Sequence, residues 1–293
     1  MSQFFVAAEL ASQPEMWRIS GELAPNFESV LPHPGERVAV VGCGTSWFIA
    51  MSYAVFRERE GQGLTDAFAG SEYPAGRSYD RVVLISRSGT TTEIIDLIAT
   101  LGSIPTTLIT AVADSSAAHI ARHVVALPFA DEQSVVQTRF ATTVLALLRA
   151  NLGHDIEGLA RQAETALTIS IESLANAEQV SFLGLGAAIG LAHEAALKAR
   201  EAAQFWAEAY PAMDYRHGPI AIAQPGRLVW LLGSAPKGLA EEVEQTGATF
   251  VHHDLDPLPG LIVAQRFAMD AARRRGLDPD HPRSLSRSVI ITS

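Results

Sequence analysis

The sequence predicts an α/β fold with two doubly wound parallel sheets that are related by a degenerate internal duplication. From Arg37 onward, a Val-rich run, a glycine-containing turn and a helical pattern follow one another repeatedly. Strands that alternate with helices in this way form a parallel sheet covered on both faces. The same order begins again at Gln179. With 293 residues, 48% of them hydrophobic, the chain is long enough for two such domains.

Three strand–loop–helix units make up the first half of the pattern. They begin at Arg37 with RVAVVGCGTSWFIAMSYAVF, at Arg81 with RVVLISRSGTTTEIIDLIATLG and at Thr106 with TTLITAVADSSAAHIARH. In the second half, QVSFLGLGAAIGLAHEAALKAREA from Gln179 echoes the first unit, and RLVWLLGSAPKGLAEEVEQTGA from Arg227 echoes the second. The second copy has GSAPKG where the first has SRSGTT, so we expect the two halves to differ in function.

The pattern also predicts where the chain divides. A helical connection over residues 151–175 separates the two copies. We therefore expect an N-terminal helical segment at residues 1–28, a first subdomain at residues 29–165 and a second subdomain at residues 166–293.

Charge and cysteine content argue against several classes of function. The formal net charge of −10 disfavours a nucleic-acid surface, because binding to phosphate backbones needs clustered Lys and Arg. The dense basic run Arg273–Arg275 is typical of a helix C-terminus followed by Gly276. A single cysteine, Cys43, excludes an internal disulfide and a cysteine-rich zinc site. His252 and His253 are adjacent, which suits a strand or loop, and we expect neither a metal nor an organic cofactor.

The sequence also lacks the signals of secretion and membrane insertion. Its N-terminus has neither the basic start nor the apolar core of a signal peptide, and no apolar run approaches the roughly 18 residues of a membrane span. We therefore expect a cytoplasmic protein that does not bind membranes.

Five hydroxyl side chains and one glycine follow the strand that begins at Arg81. A loop after a parallel strand lies at the carboxyl edge of the sheet and leads into a helix with unpaired N–H groups, which favours an anion there. Gly89 would let the backbone approach a ligand closely, and the hydroxyls can donate to phosphate oxygens. These hydroxyls belong to Ser86, Ser88, Thr90, Thr91 and Thr92.

An alternative is that these residues only cap a helix whose first turn contains Glu93. We favour phosphate binding, because a cap needs one hydroxyl. The preceding unit has a comparable loop, GCGTS, which offers Thr45 and Ser46. It departs from the dinucleotide pattern G-x-G-x-x-G at Trp47, and the sequence has no G-K-[ST] of a nucleotide-triphosphate loop. The two loops therefore predict a small phosphorylated ligand.

A second informative stretch, AHEAALKAREAAQFWAEAYPAMDYRHGP, begins at Ala192. At about 100° per residue, four charged side chains fall within roughly 80° of one another on one helix face. They are Glu194, Lys198, Glu201 and Glu208. Such a stripe is usually the solvated side of a helix, and Glu194 and Lys198 have the spacing of a simple ion pair. The other faces are mostly apolar, so we expect a buried helix whose charged stripe faces a cleft.

His217 follows in the motif RHGP, where Gly218 and Pro219 break the chain and hold it in a loop. A lone histidine is more often structural than catalytic. Next to a carboxylate and a phosphate loop, however, it is a candidate for proton transfer near neutral pH.

Four ordered motifs, CGTS, SRSGTT, EAALKAREAAQFWAEAY and RHGP, resemble the sugar isomerase (SIS) family. The resemblance is to double-SIS proteins, namely the isomerase half of glucosamine-6-phosphate synthase and its shorter relatives. Those relatives include amino-sugar-phosphate deaminases and fructosamine-6-phosphate deglycases. The resemblance runs from about Glu9 to the C-terminal DPDHPRSLSRSV.

This resemblance implies that Glu201 is the base that moves a proton between C1 and C2 of a sugar phosphate. Glu194 and Lys198 would line the site, and His217 would assist ring opening. As in similar enzymes, the protein would form a homodimer in which His217 completes the site of the partner subunit.

The resemblance also implies a set of ligand contacts. The residues expected to bind the phosphate are Thr45, Ser46, Ser86, Arg87, Ser88, Gly89, Thr90 and Thr91. Other contacts to the sugar are expected from residues 132–139, including Thr138, and from the C-terminal tail, including Arg287.

Two departures from the family pattern limit the reactions we expect. The sequence begins with the SIS region and its one cysteine is Cys43, so we expect no cysteine glutaminase and disfavour glutamine-dependent amination. Where the synthase has a lysine that forms a Schiff base, this tail has Arg287, which stays protonated and cannot form an imine. Arg87 replaces a glutamine of the synthase. It either adds charge beside the phosphate or points outward into solvent.

We expect an enzyme that isomerises or deaminates a 6-phosphorylated sugar, preferentially an amino sugar. Removing a proton next to a carbonyl or imine needs a carboxylate in a water-poor site, and one residue can serve as both base and acid. The alternatives are a fructosamine-6-phosphate deglycase and a non-catalytic phosphosugar sensor. A sensor would need neither Glu201 nor His217.

Overall fold

The chain forms two compact units, each built around one parallel sheet. The computed structural model describes residues 4–291. Among the described residues, the first-sheet unit consists of Glu15–Gln133, Gln137–Glu157 and residues 286–291. The second-sheet unit consists of residues 4–14, Ser134–Val136 and Gly158–Leu285. The domain boundaries expected after residues 28 and 165 stay a prediction.

The first-sheet unit has five parallel strands in the order β2-β1-β3-β4-β5. They are β1 (Val38–Gly42), β2 (Thr65–Ala69), β3 (Arg81–Ile85), β4 (Thr106–Thr110) and β5 (His123–Ala126). Every residue of β1, β3 and β4 is buried, as expected for central strands that helices cover on both faces. Strands β1 and β3 end side by side, with Gly42 opposite Ile85. The loops that follow these two strands therefore leave the same edge of the sheet.

The second-sheet unit has four parallel strands in the order β7-β6-β8-β9. They are β6 (Gln179–Gly184), β7 (Trp206–Pro211), β8 (Arg227–Leu232) and β9 (Thr249–His252). In both sheets the first strand of the copy is central and lies between the second and the third. The shared order confirms the α/β fold and supports the internal duplication.

Helices flank both sheets. They are α1 (Phe5–Ala11), α2 (Gln13–Leu23), α3 (Thr45–Arg59), α4 (Thr92–Thr100), α5 (Ser116–Ile120), α6 (Arg139–Asn151), α7 (Ile156–Ala166), α8 (Ala188–Ala203), α9 (Leu239–Glu244) and α10 (Pro257–Arg274). The basic run does end a helix, since α10 stops at Arg274 and Gly276 has a positive φ of 67°. Among residues 4–291, no helix is both long and apolar enough to cross a lipid bilayer.

An apolar core fixes α4 on the first sheet. Ile94, Leu97 and Ile98 of this helix join a buried cluster with Val41 of β1 and Leu84 of β3. Because α4 begins immediately after the hydroxyl-rich loop, this packing also fixes where the loop lies.

Candidate active site

The hydroxyl-rich loop joins β3 to α4 at the carboxyl edge of the first sheet. Its serines shape the loop from within: Gly89 N donates to Ser86 Oγ at 3.2 Å, and Thr90 N donates to Ser88 Oγ at 3.2 Å. Thr91 occupies the N-cap position of α4, but its side chain forms no capping hydrogen bond. Helix capping therefore does not account for the hydroxyls of this loop.

A small cleft lies between this loop, the start of α3 and the C-terminal tail. Its volume is about 30 Å³, which is room for one or two water molecules. Six predicted ligand-binding residues line it: Ser46, Ser86, Arg87, Ser88, Thr91 and Arg287. The cleft thus brings together side chains from both predicted phosphate loops, whereas Thr45, Gly89 and Thr90 lie in the same loops outside its lining.

Arg87 points inward. It is only 2% exposed, so the outward, solvated orientation left open by the sequence is wrong. Its Nη1 lies 3.7 Å from Oε2 of Glu132, and its Nη2 donates to the carbonyl of Arg287 at 3.3 Å. A buried carboxylate explains the orientation, because a guanidinium removed from water needs a counter-ion.

Glu132 holds the beginning of α6. Its Oε1 accepts hydrogen bonds from Thr138 N at 2.6 Å and from Arg139 N at 2.9 Å, two donors at a helix start. Thr138 also donates its hydroxyl to Glu132 Oε1 at 2.9 Å. The structure therefore uses Thr138, a predicted sugar contact, within the helix cap.

Arg287 is anchored on the segment before α6. Its guanidinium donates to Asp131 Oδ1 at 2.5 Å and to the backbone carbonyl of Glu132. The side chains of Asp131 and Arg287 are each 37% exposed. The arginine that stands in place of the Schiff-base lysine is thus an ion-pair partner that also lines the cleft.

In the second-sheet unit, Lys198 of α8 contacts two carboxylates of the same helix, those of Glu194 and Glu201. Lys198 Nζ lies 2.5 Å from Glu201 Oε2 and 3.4 Å from Glu194 Oε1. The side chains of Lys198 and Glu194 are each 1% exposed, whereas that of Glu201 is 19% exposed. Of the two carboxylates, only Glu201 retains appreciable access to solvent.

The prediction that Glu208 lies on the charged face of α8 is wrong. Helix α8 ends at Ala203 because Gln204 takes a left-handed conformation, with φ 49° and ψ 39°. Glu208 lies on the edge strand β7, where it accepts hydrogen bonds from Trp206 Nε1 and Tyr210 Oη. The helical period that placed Glu208 beside Glu201 therefore does not extend that far.

His217 ends a short 3₁₀ turn, Asp214–His217, that follows β7. It is exposed, and Gly218 after it has a φ of 134°, which only glycine adopts readily. The predicted loop position of His217 is thus confirmed, while its role in ring opening stays a prediction. Within residues 4–291, no group of three or more His, Cys, Asp or Glu side chains could hold a metal ion.

Comparison with known proteins shows the family. No protein-family model matches the sequence. A glutamine–fructose-6-phosphate aminotransferase (isomerizing) of Sulfurisphaera tokodaii is 30% identical over 296 residues, covering 87% of this chain and 50% of the relative. A glucosamine-6-phosphate deaminase structure from Thermotoga maritima matches with a TM-score of 0.83 and 24% identity, covering 97% of this chain and 99% of that chain. This chain belongs to the double-SIS family.

A second solved structure has a similar fold. The C-terminal domain of glucosamine-fructose-6-phosphate aminotransferase from Francisella tularensis has a TM-score of 0.80 and 20% identity, covering 96% of this chain and 99% of that domain. The double-SIS chain spans about half the length of the curated relatives it matches.

Several contacts of this double-SIS cleft were not predicted from the sequence. Asp131 was missed, although it contacts Arg287 of the tail, and the contacts of Ser288 and Val289 with the phosphate loop were not predicted individually. The charge of Arg287 was the only sequence signal near them. An arginine in the tail needs an acidic partner when it is partly buried, but the sequence did not indicate which one.

Gly89→Ala is expected to destabilise this double-SIS chain more than a matched substitution elsewhere. A Cβ on Gly89 would lie 2.0 Å from Ser115 Oγ, whereas one on Gly102 would meet nothing within 4 Å. Both glycines have positive φ, 63° and 59°. Gly102→Ala therefore isolates the backbone strain, about 1 kcal/mol, and Gly89→Ala should cost about 1–3 kcal/mol more through overpacking. Urea denaturation of both variants measures the difference, and equal losses would show that Ser115 moves aside freely.

Proposed function

We propose that this chain binds a 6-phosphorylated sugar, preferentially an amino sugar, and uses Glu201 to transfer a proton between C1 and C2. The reaction is either an aldose–ketose isomerisation or a deamination that follows it. The similar proteins support this choice, because their names describe a glucosamine-6-phosphate deaminase and glutamine–fructose-6-phosphate aminotransferases.

The arrangement on α8 is the observation that carries the proposal. Two charged groups of opposite sign, Glu194 and Lys198, are almost completely buried, while the carboxylate of Glu201 remains partly accessible. Burying such charges costs free energy that a purely structural helix of alanines would avoid. The contact of 2.5 Å to Lys198 orients Glu201, and a general base must be held within hydrogen-bond reach of the proton that it removes.

Lys198 has a positioning role in this proposal. Its Nζ contacts two carboxylates, at 2.5 and 3.4 Å, and the shorter of the two contacts holds Glu201 in place. Glu201 removes the proton from the carbon next to a carbonyl or imine and returns it to the neighbouring carbon. His217 would assist ring opening, in a homodimer where it completes the partner's site.

The cleft of the first-sheet unit would hold the phosphate group. Its hydroxyls are donors, and α4 adds the positive dipole end of its first turn. The proposal assigns this role to Thr45, Ser46, Ser86, Ser88, Gly89, Thr90 and Thr91, with Arg87 contributing charge behind them. Sugar contacts are assigned to Thr138 and Arg287.

Calorimetric titration with glucosamine 6-phosphate and with unphosphorylated glucosamine tests the phosphate assignment. We expect binding of the first and none of the second, with weaker binding in Ser88→Ala. Val112→Ala is a suitable control, because it lies beyond β4 and outside the cleft lining. Equal affinity for the two sugars would show that the protein does not recognise the phosphate group.

Cys43 provides a second readout of the cleft. Burial raises the pKa of its thiol, and the nearby Glu93 carboxylate raises it further, although a backbone hydrogen bond from Gly70 opposes them. A raised pKa means less thiolate at neutral pH, so iodoacetamide should react more slowly with the folded chain than with the urea-unfolded chain. Since Cys43 lines the cleft, bound sugar phosphate should slow alkylation further. Identical pH–rate curves for folded and unfolded chains would contradict the expectation.

A further inference from the structure

The C-terminal tail, Ser286–Ile291, lies directly on the phosphate loop. Thr92 N donates to the carbonyl of Val289 at 3.2 Å, and Ile291 N donates to Thr92 Oγ1 at 2.9 Å. Thr90 Oγ1 lies 2.9 Å from Ser288 Oγ. The tail therefore contacts both the backbone and the hydroxyls at the start of α4.

These contacts use groups that an anion would need. Thr92 is the first residue of α4, and the first N–H groups of a helix have no partner within the helix. The Val289 carbonyl supplies that partner and brings its partial negative charge to the positive end of the helix dipole. The tail thus occupies positions that favour a phosphate oxygen.

The lining of the cleft supports this interpretation. Arg287 of the tail is one of its walls, and the cleft has a volume of about 30 Å³. The tail therefore bounds the space beside Ser86 and Ser88 that the phosphate group would enter.

An ion pair is the main attachment of the tail. The side chains of Val289, Ile290 and Ile291 are 57%, 64% and 61% exposed, so apolar burial contributes little. Arg287 instead donates to Asp131 Oδ1 and to the Glu132 carbonyl, and Arg87 donates to the Arg287 carbonyl.

We propose that Asp131 is a positioning residue that acts through Arg287: it holds the tail on the phosphate loop, where the tail competes with the phosphate group of the substrate. The identity of that ligand rests on the proposed function. The position of the tail on the phosphate loop does not, because it follows from contacts within the chain. The two parts can therefore be tested separately.

Asp131→Asn tests both parts in the 293-residue chain. The Thr92 amide should exchange with deuterium faster, because its acceptor is in the tail. Glucosamine 6-phosphate should bind roughly two- to fivefold more tightly, the range expected for a partly exposed ion pair. The control is Glu157→Gln, which breaks another arginine pair of the same unit, Arg18–Glu157 at 2.8 Å, and should change neither quantity. The double variant Asp131→Arg with Arg287→Asp should restore slow exchange of the Thr92 amide, because it reverses the ion pair without removing it.

The outcomes separate the two ideas. Unchanged Thr92 exchange in Asp131→Asn would overturn the role of Asp131. Faster exchange with unchanged or weaker sugar-phosphate binding would overturn the competition and leave the proposed function standing. If neither the parent nor the variant binds any sugar phosphate, the proposed function fails and the competition fails with it.

Discussion

Glu201→Gln is expected to lose nearly all turnover of a sugar phosphate while still binding it. The amide keeps the size of the side chain and can still accept a hydrogen bond from Lys198, but it cannot take up a proton. General base catalysis contributes about 10²- to 10⁴-fold to a rate, so kcat should fall by that factor. The dissociation constant, measured by calorimetry, should stay close to that of the parent.

The matched control is Glu244→Gln, an exposed glutamate of α9 in the same unit. It removes the same charge and should leave both kcat and affinity unchanged. Turnover retained by Glu201→Gln would remove Glu201 from its proposed role. Loss of binding and turnover together, in a variant with the parent's melting temperature, would assign Glu201 to substrate binding instead of proton transfer.

Lys198→Met is expected to cause the largest loss of stability. The substitution leaves the buried carboxylate of Glu194 without the ammonium that lies 3.4 Å away. Removing one partner of a buried ion pair costs about 3–5 kcal/mol, because the remaining buried charge loses a nearby counter-ion. Urea denaturation at neutral pH should show the midpoint falling accordingly.

A second substitution distinguishes this cause from poor packing. Adding Glu194→Gln to Lys198→Met removes the buried carboxylate charge and should recover a large part of the lost stability, since a buried amide costs less than a buried carboxylate. If the double variant is no more stable than Lys198→Met alone, the loss comes from packing around methionine and not from the charge on Glu194.

Local pattern predicted most of the fold. The two echoes that begin at Arg37 and Gln179 become central strands followed by helices in their respective sheets. The prediction succeeded because the hydrophobic periods of strands and helices, separated by glycine turns, can be recognised in short stretches of consecutive residues. The hydroxyl loop was predictable for the same reason, since its position between β3 and α4 depends only on neighbouring sequence.

The errors arose where the structure depends on conformation or on distant partners. The spacing of the charged residues predicted that α8 continues to Glu208. A left-handed turn at Gln204 ends the helix earlier, and such a turn at a residue other than glycine leaves no clear pattern in the sequence. The inward orientation of Arg87 depends on Glu132, a residue beyond two further strands. The hydrophobic period of neighbouring residues does not indicate which distant residues pair, so neither the Arg87–Glu132 nor the Asp131–Arg287 contact could be predicted.

The most direct test of the proposed function is proton NMR of the purified protein in D₂O with glucosamine 6-phosphate, with ammonium assayed in parallel. Glucosamine, galactosamine and fructose 6-phosphates should be compared, because the comparison identifies which sugar phosphate is the substrate. We predict that solvent deuterium enters at C1 or C2 of at least one of them, with ammonium released if the reaction is a deamination. Sugar-phosphate binding without deuterium incorporation or ammonium release for all three would contradict proton transfer by Glu201 on these sugars.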